Sequence, residues 1–96
     1  MVALSWTREA VSSLRDIFKH IAQDRPGTAR RTVESLIAKV QSLADDPRLG
    51  RPYPHRADPT LRQMSYGGFR IAYRIEASGG IAILGIFHGF IFLPLG

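Results

Sequence analysis

The chain has 96 residues, 45% of them hydrophobic, no cysteine and a formal net charge of +5. That length supplies one domain, residues 1–96, with one modest core, and the apolar content excludes a disordered chain. Without cysteine neither a disulfide framework nor a thiolate zinc site can form, and the arginine-borne charge, with Lys19 and Lys39 the only lysines, favours an acidic partner such as nucleic acid, a protein surface or a peptide.

Val2 to Trp6 reads as a short strand, apolar at Val2, Leu4 and Trp6. Met1 to Trp6 has neither the basic start nor the long apolar run of a secretory signal, and a cytoplasmic location is expected. Thr7 is the expected N-cap of a helix with Glu9 in its first turn. Ala10, Val11, Leu14, Ile17, Phe18 and Ile21 recur at three- and four-residue steps, one apolar stripe on an amphipathic helix. Asp24-Arg-Pro-Gly27 breaks it, since Pro26 cannot continue a helix but can open one. In the second helix Ala29, Val33, Leu36, Ile37, Val40, Leu43 and Ala44 keep the helical period until Asp45-Asp-Pro47. Two helices joined so tightly are expected to form an antiparallel hairpin.

Residues 46–60 hold four of the six prolines, too many for a regular element, and a loop this long in a small domain is usually functional or mobile. Leu61 to Tyr66 and Phe69 to Glu76 read as strands joined by Gly67-Gly68, which accepts the positive φ of a two-residue hairpin turn. Phe69, Ile71, Tyr73 and Ile75 alternate with Arg70, Ala72, Arg74 and Glu76. After the turn at Ala77-Ser-Gly-Gly80, Ile81 to Phe87 is apolar on both faces, as in a central strand. The expected fold is α+β: a β-α-α-β-β-β chain with its helical hairpin packed on a small twisted antiparallel sheet. The apolar stretch from Ile81 to Leu95 is broken by glycines, His88 and Pro94. It is shorter than the roughly 20 residues of a membrane span, and no membrane partner is expected.

No phosphate-cradling glycine loop or nucleophile elbow is present. His20, His55 and His88 lack ligand spacing, so no metal and no cofactor are expected. His20 reads as a helix-surface residue and His55 as an exposed loop residue. Trp6 and Tyr73 read as core aromatics, while Tyr53 and Tyr66 are better placed for exposure. One basic cluster remains. Arg70 and Arg74 share a strand face, cross-strand neighbours can bring Arg62 toward them, and His88 ends the last strand. The cluster could hold phosphate or an acidic peptide; equally, it could be a solvated face with Arg74 paired to Glu76.

Four segments come in a recurrent order: Ser5-Trp-Thr-Arg-Glu-Ala10, Leu43-Ala-Asp-Asp-Pro47 with Leu49-Gly-Arg-Pro52, Leu61-Arg62 with Gly68-Phe-Arg-Ile-Ala-Tyr-Arg74, and Ile83-Leu-Gly-Ile-Phe-His-Gly89. In this order and spacing, over nearly the whole chain, the sequence resembles the ParE/RelE superfamily of toxin–antitoxin toxins and, within it, the ParE branch. The resemblance implies a plasmid-stabilisation type of toxin that inhibits DNA gyrase by binding. It also implies a cognate, ParD-like antitoxin that lays an amphipathic segment across the helical hairpin and sheet, forming a hetero-oligomer. Antitoxin contacts would then fall on Val11, Leu14, Phe18, Leu36, Val40 and Tyr73, and target contacts on Arg62, Arg70, Arg74, His88, Phe90 and Phe92. RelE-like relatives instead cleave mRNA on the ribosome, and such an enzyme built here would use Arg62, Arg70 and His88. Metal-free RNA cleavage needs groups to activate the 2′-hydroxyl and protonate the leaving oxygen. After His88 the sequence is Gly-Phe-Ile-Phe-Leu-Pro-Leu-Gly96, with no Arg, Lys, Tyr or His, so binding is the expected mechanism. This apolar tail departs from the polar or basic residues common in ParE toxins. A third reading follows from the departure: an attenuated, non-toxic module that still binds an antitoxin.

Overall fold

Thr7 closes one element and opens the next. In the computed structural model, which describes residues 1–88, the first strand, β1 (Leu4–Trp6), passes into α1 (Arg8–Ala22) at this residue. The Thr7 hydroxyl accepts the Ala10 N–H at 3.2 Å, capping the helix as its sequence position predicts. It also donates to the Ile83 carbonyl at 2.7 Å. One turn later Ser13 Oγ accepts the Ile86 N–H at 3.0 Å. Side chains of α1 thus satisfy the edge of the last strand where β1 has ended.

The chain turns at Ile21, whose carbonyl accepts the N–H groups of Asp24 and Arg25. The second helix, α2 (Pro26–Gln41), opens on Pro26, whose missing N–H costs nothing in the first turn. A single 3-10 turn, Ser42–Ala44, ends it before Pro47. Ala29, Leu36, Val40 and Leu43 are fully buried, as the helical period predicts.

Four further strands complete the sheet: β2 (Arg51–Pro52), β3 (Leu61–Tyr66), β4 (Phe69–Ile75) and β5 (Ile81–His88), in the order β1-β5-β4-β3-β2. The α+β architecture and element order are those expected from the sequence, with two corrections. First, β1 pairs parallel with β5, so the sheet is mixed. These two strands are joined through the helices rather than by a hairpin, and such a crossover permits parallel pairing; alternation of residues along a strand says nothing about its direction. Second, the proline-rich segment is not wholly irregular, because Arg51 and Pro52 pair with Gln63 and Arg62. An edge strand tolerates the N–H that proline lacks. The two-residue turn between β3 and β4 uses positive φ at Gly67 alone, at 59°.

One core lies between the helices and the sheet and centres on Leu36, Val40, Leu43, Met64, Ile71, Tyr73, Ile81, Ile83 and Ile86. A smaller one covers the opposite face of the sheet, where Tyr53 packs on Leu61 and Ala72 with Leu84 and Phe87 beside them. Tyr53 was expected to be exposed but is 7% exposed, because the proline-rich segment folds back over the sheet. Trp6 packs against the main core and Tyr66 is exposed.

That segment is held by Gly50. Its N–H donates to Tyr73 Oη at 2.9 Å, Tyr73 Oη donates to the Pro47 carbonyl at 2.8 Å, and Arg62 Nη2 donates to the Gly50 carbonyl at 2.6 Å. A Cβ at residue 50 would lie 2.7 Å from Tyr73 Oη and collide with the Gln63 carbonyl. Gly50→Ala is therefore expected to destabilise the fold by about 1–3 kcal/mol. Tyr73→Phe, which leaves the buried Gly50 N–H and the half-buried Pro47 carbonyl unpaired, should cost on the order of 2 kcal/mol. Urea unfolding midpoints check both, and an unchanged midpoint for either variant would contradict the clamp.

Burial raises the Tyr53 phenol above its ordinary 10.0, against the lowering influence of Arg70 and Arg56. The folded chain keeps this proton at a pH where the unfolded chain has lost it. Its contribution is full below the unfolded value and is lost as pH rises through the raised one. Tyr53→Phe should accordingly flatten the fall in stability above about pH 10, measured by urea unfolding across that range.

Candidate functional site

The hairpin register decides which basic residues meet. Arg62 lies opposite Tyr73, while Ser65 lies opposite Arg70, so Arg62 shares the helix-facing side of the sheet and Arg70 the other. Arg74 is on the Arg70 face. His88 lies opposite Phe69, its ring tilted against the Phe69 ring with centroids 5.1 Å apart, again on the helix-facing side. The cluster expected from the sequence is thus divided by the sheet. Arg70 and Arg74 do share a face, about 13 Å apart along β4. Arg62 is not brought to them, and on its own face His88 is about 16 Å away, four residues along and two strands across.

Arg62 is 9% exposed. Its guanidinium meets the Gly50 carbonyl and, at 3.5 Å, the Arg48 carbonyl, while its Nε has no hydrogen-bond partner. It faces carbonyls rather than a carboxylate, and its place is in the clamp on Gly50. Arg70 donates to Gln63 Oε1 at 2.8 Å. Arg74 pairs with Asp58 at 3.5 Å rather than with Glu76. Asp58 is set for this by Thr60: hydrogen bonds from the Thr60 hydroxyl and N–H hold its carboxyl below the usual range, with a smaller contribution from Arg74. The ion pair is half-exposed, and such pairs contribute about 0–1 kcal/mol.

The outer face therefore carries Arg70 and Arg74 beside a small core in which Tyr53 and Ala72 are buried and Leu84 and Phe87 are half-buried at its edge, with Arg56 close enough to influence the Tyr53 phenol. The Phe87 ring lies across Gly85, where an added Cβ would meet it at 2.7 Å. Sequence reasoning missed Tyr53 and Arg56. A signal did exist for Arg62, since a two-residue turn closed by Tyr66 and Phe69 already sets Arg62 opposite Tyr73. Among the described residues no group of His, Asp and Glu could hold a metal ion. No described helix is long and apolar enough to cross a membrane.

The expected antitoxin contacts divide too. Val11 and Phe18 are each 40% exposed on α1, with Leu14 half-buried between them. Leu36, Val40 and Tyr73 are fully buried and offer a partner no surface in this arrangement, because they fill the core beneath the hairpin. Phe90 and Phe92 lie outside the described residues.

A comparison with curated protein sequences gives no match. Solved structures do match. The chromosomal ParDE toxin–antitoxin system of P. aeruginosa superposes with a TM-score of 0.76 at 26% identity, covering 93% of this chain and 97% of that one. The RelBE2 toxin–antitoxin complex of Mycobacterium tuberculosis gives 0.69 at 21% identity, covering 91% and 96%. The isolated RelE toxin of E. coli gives 0.65 at 14% identity, covering 96% and 88%. The latter two likenesses are of fold alone. The family model described as the ParE toxin of the type II toxin–antitoxin system, parDE, matches residues 4–89, from β1 through the whole of β5. The chain belongs to the ParE toxin family of type II toxin–antitoxin systems.

Proposed function

We propose that this chain is a cytoplasmic toxin that inhibits DNA gyrase by binding it, without a chemical step of its own, and is neutralised by a cognate antitoxin. The observation that carries the binding mechanism is the division of the basic cluster. A ribonuclease needs acid–base groups beside its phosphate-holding arginines. Here His88 lies on one face of the sheet and Arg70 on the other. On the Arg70 face burial raises the Tyr53 phenol further above its ordinary value, away from the range in which an acid or base works near neutral pH. The sequence after His88 adds no Arg, Lys, Tyr or His.

Binding needs none of these groups. Arg70 and Arg74, flanking the half-buried Leu84 and Phe87, offer a surface that could meet another macromolecule through charge at its rim and apolar contact at its centre. The target would meet this face. The antitoxin would cover the exposed stripe of Val11 and Phe18 on α1, an apolar helix face suited to an amphipathic segment. Kinship with a ParDE toxin–antitoxin system supports the antitoxin partner.

Purified gyrase in a supercoiling assay tests the reading. Stoichiometric toxin is expected to block supercoiling and accumulate cleaved DNA. No inhibition and no cleaved complex would sink it. Ribosome-dependent mRNA cleavage that disappears in Arg70→Ala would transfer the chain to the RelE-like reading. Unchanged growth on expression without a partner would make it a non-toxic antitoxin-binding module.

A further inference from the structure

The arginines of the outer face form a wider array than β4 alone supplies. Arg51 on β2 lies opposite Gln63, and Gln63 lies opposite Ala72 on β4. Residues paired in this way share a face, so Arg51 stands on the same side of the sheet as Arg70 and Arg74. Arg51, Gln63, Ser65 and Arg70 accordingly line one cleft. Two strands across and two residues along, Arg51 is about 12 Å from each of the other two, which are themselves about 13 Å apart. The three make a triangle of guanidinium groups around Gln63 and Ala72. Arg56, exposed on the proline-rich segment, acts together with Arg70 on the Tyr53 phenol. The carboxylate set against this array is Asp58, 3.5 Å from Arg74, with both side chains nearly half exposed. An ion pair that exposed is held weakly, and another anion can take the place of Asp58.

We propose that this face docks directly on the phosphate backbone of duplex DNA, with Arg51, Arg70 and Arg74 each taking a phosphate and Asp58 releasing Arg74 to it. The guanidinium fork suits phosphate oxygens. Phosphates on one strand advance about 3.4 Å per nucleotide along the axis, so the spacing of Arg70 and Arg74 spans about four steps. Arg51, roughly 10 Å to the side, is set off by nearly the width of a major groove, about 12 Å, which brings it toward the other strand. An acidic peptide on this face would find no ladder to join, because β4 already has a neighbour on each side. A second copy of a chain with a net charge of +5 meets like charge. The proposal deepens the gyrase reading and rests on it for the source of the DNA, the segment that the enzyme holds.

The test uses the full chain without gyrase, titrated into a fluorescently labelled, blunt-ended DNA duplex at increasing NaCl and followed by anisotropy. Three phosphate contacts give a slope of log K against log salt of about −3. Arg51→Ala, Arg70→Ala and Arg74→Ala should each make that slope shallower by about 1, alike on two duplexes of unrelated sequence. Asp58→Asn removes the competing carboxylate and should tighten binding by about threefold. Lys19→Ala makes the same charge change on the helical layer and should leave the slope as it was. Arg51 is exposed on a two-residue edge strand, so its variant remains informative if Arg74→Ala fails to fold. No binding at low salt, a slope untouched by the three arginine variants or lost equally in Lys19→Ala, no gain in Asp58→Asn, or tighter binding of duplex RNA or of an oligoglutamate peptide would each overturn the proposal. Because no gyrase is present, failure here leaves inhibition through protein contacts standing, and a failed supercoiling assay leaves the salt slopes intact.

Discussion

The Tyr73 hydroxyl, buried beneath the helical hairpin, accepts the Gly50 amide and donates to the Pro47 carbonyl, while Arg62 reaches the Gly50 carbonyl. These bonds tie the start of the proline-rich segment to the centre of the sheet. Once Gly50 is fixed, Arg51 and Pro52 fall into register with β3, and Tyr53 is carried over to the opposite face to cover Leu61 and Ala72. The second core, the position of Arg51 beside the β3 edge and the approach of Arg56 to Tyr53 all depend on that hold. Buried polar groups that satisfy one another in this way fix a unique arrangement, because every alternative leaves a donor or acceptor unpaired. The Arg62 Nε, buried without a partner, is the one described side-chain atom that departs from this rule.

The clamp also separates a buried arginine from partly exposed ones along β3 and β4. Arg62, the buried cation, belongs to the fold. Arg70 and Arg74, partly exposed on the far face, reach Gln63 and Asp58 there. A long-range guanidinium contact and a surface arginine look alike in a sequence. They separate only when burial and hydrogen-bond partners are known.

Most of the architecture was legible in the residues. The Thr7 cap, the break at Pro26, the two helical stripes and the two-residue turn at Gly67 are local signals, and each produced the element it predicts. What escaped was non-local. Nothing between Leu4 and Trp6 encodes a parallel partner 77 residues away. In the segment Leu49-Gly-Arg-Pro52 the glycine reads as a loop residue, and only the approach of Tyr73 and Gln63 explains why no larger residue fits. Apolar Leu61 and Met64 stand three apart and so on opposite faces, which hid from alternation alone the side taken by Arg62. Counting back from the turn would have revealed it. The α1 contacts of the candidate interface were legible as an amphipathic stripe. The burial of Leu36, Val40 and Tyr73 was not separable from interface use, since both demand apolar residues.

The central claim is that the toxin acts through the Arg70 face while Arg62 holds the fold. Comparing Arg70→Ala with Arg62→Ala in the gyrase assay, alongside unfolding midpoints, tests it most directly. Arg70→Ala should keep a near-native midpoint and lose inhibition. Arg62→Ala should lose about 2–4 kcal/mol of stability through its cavity and broken bonds, yet inhibit normally where it remains folded. A stable Arg62→Ala without activity, or an Arg70→Ala of full potency, would contradict the account.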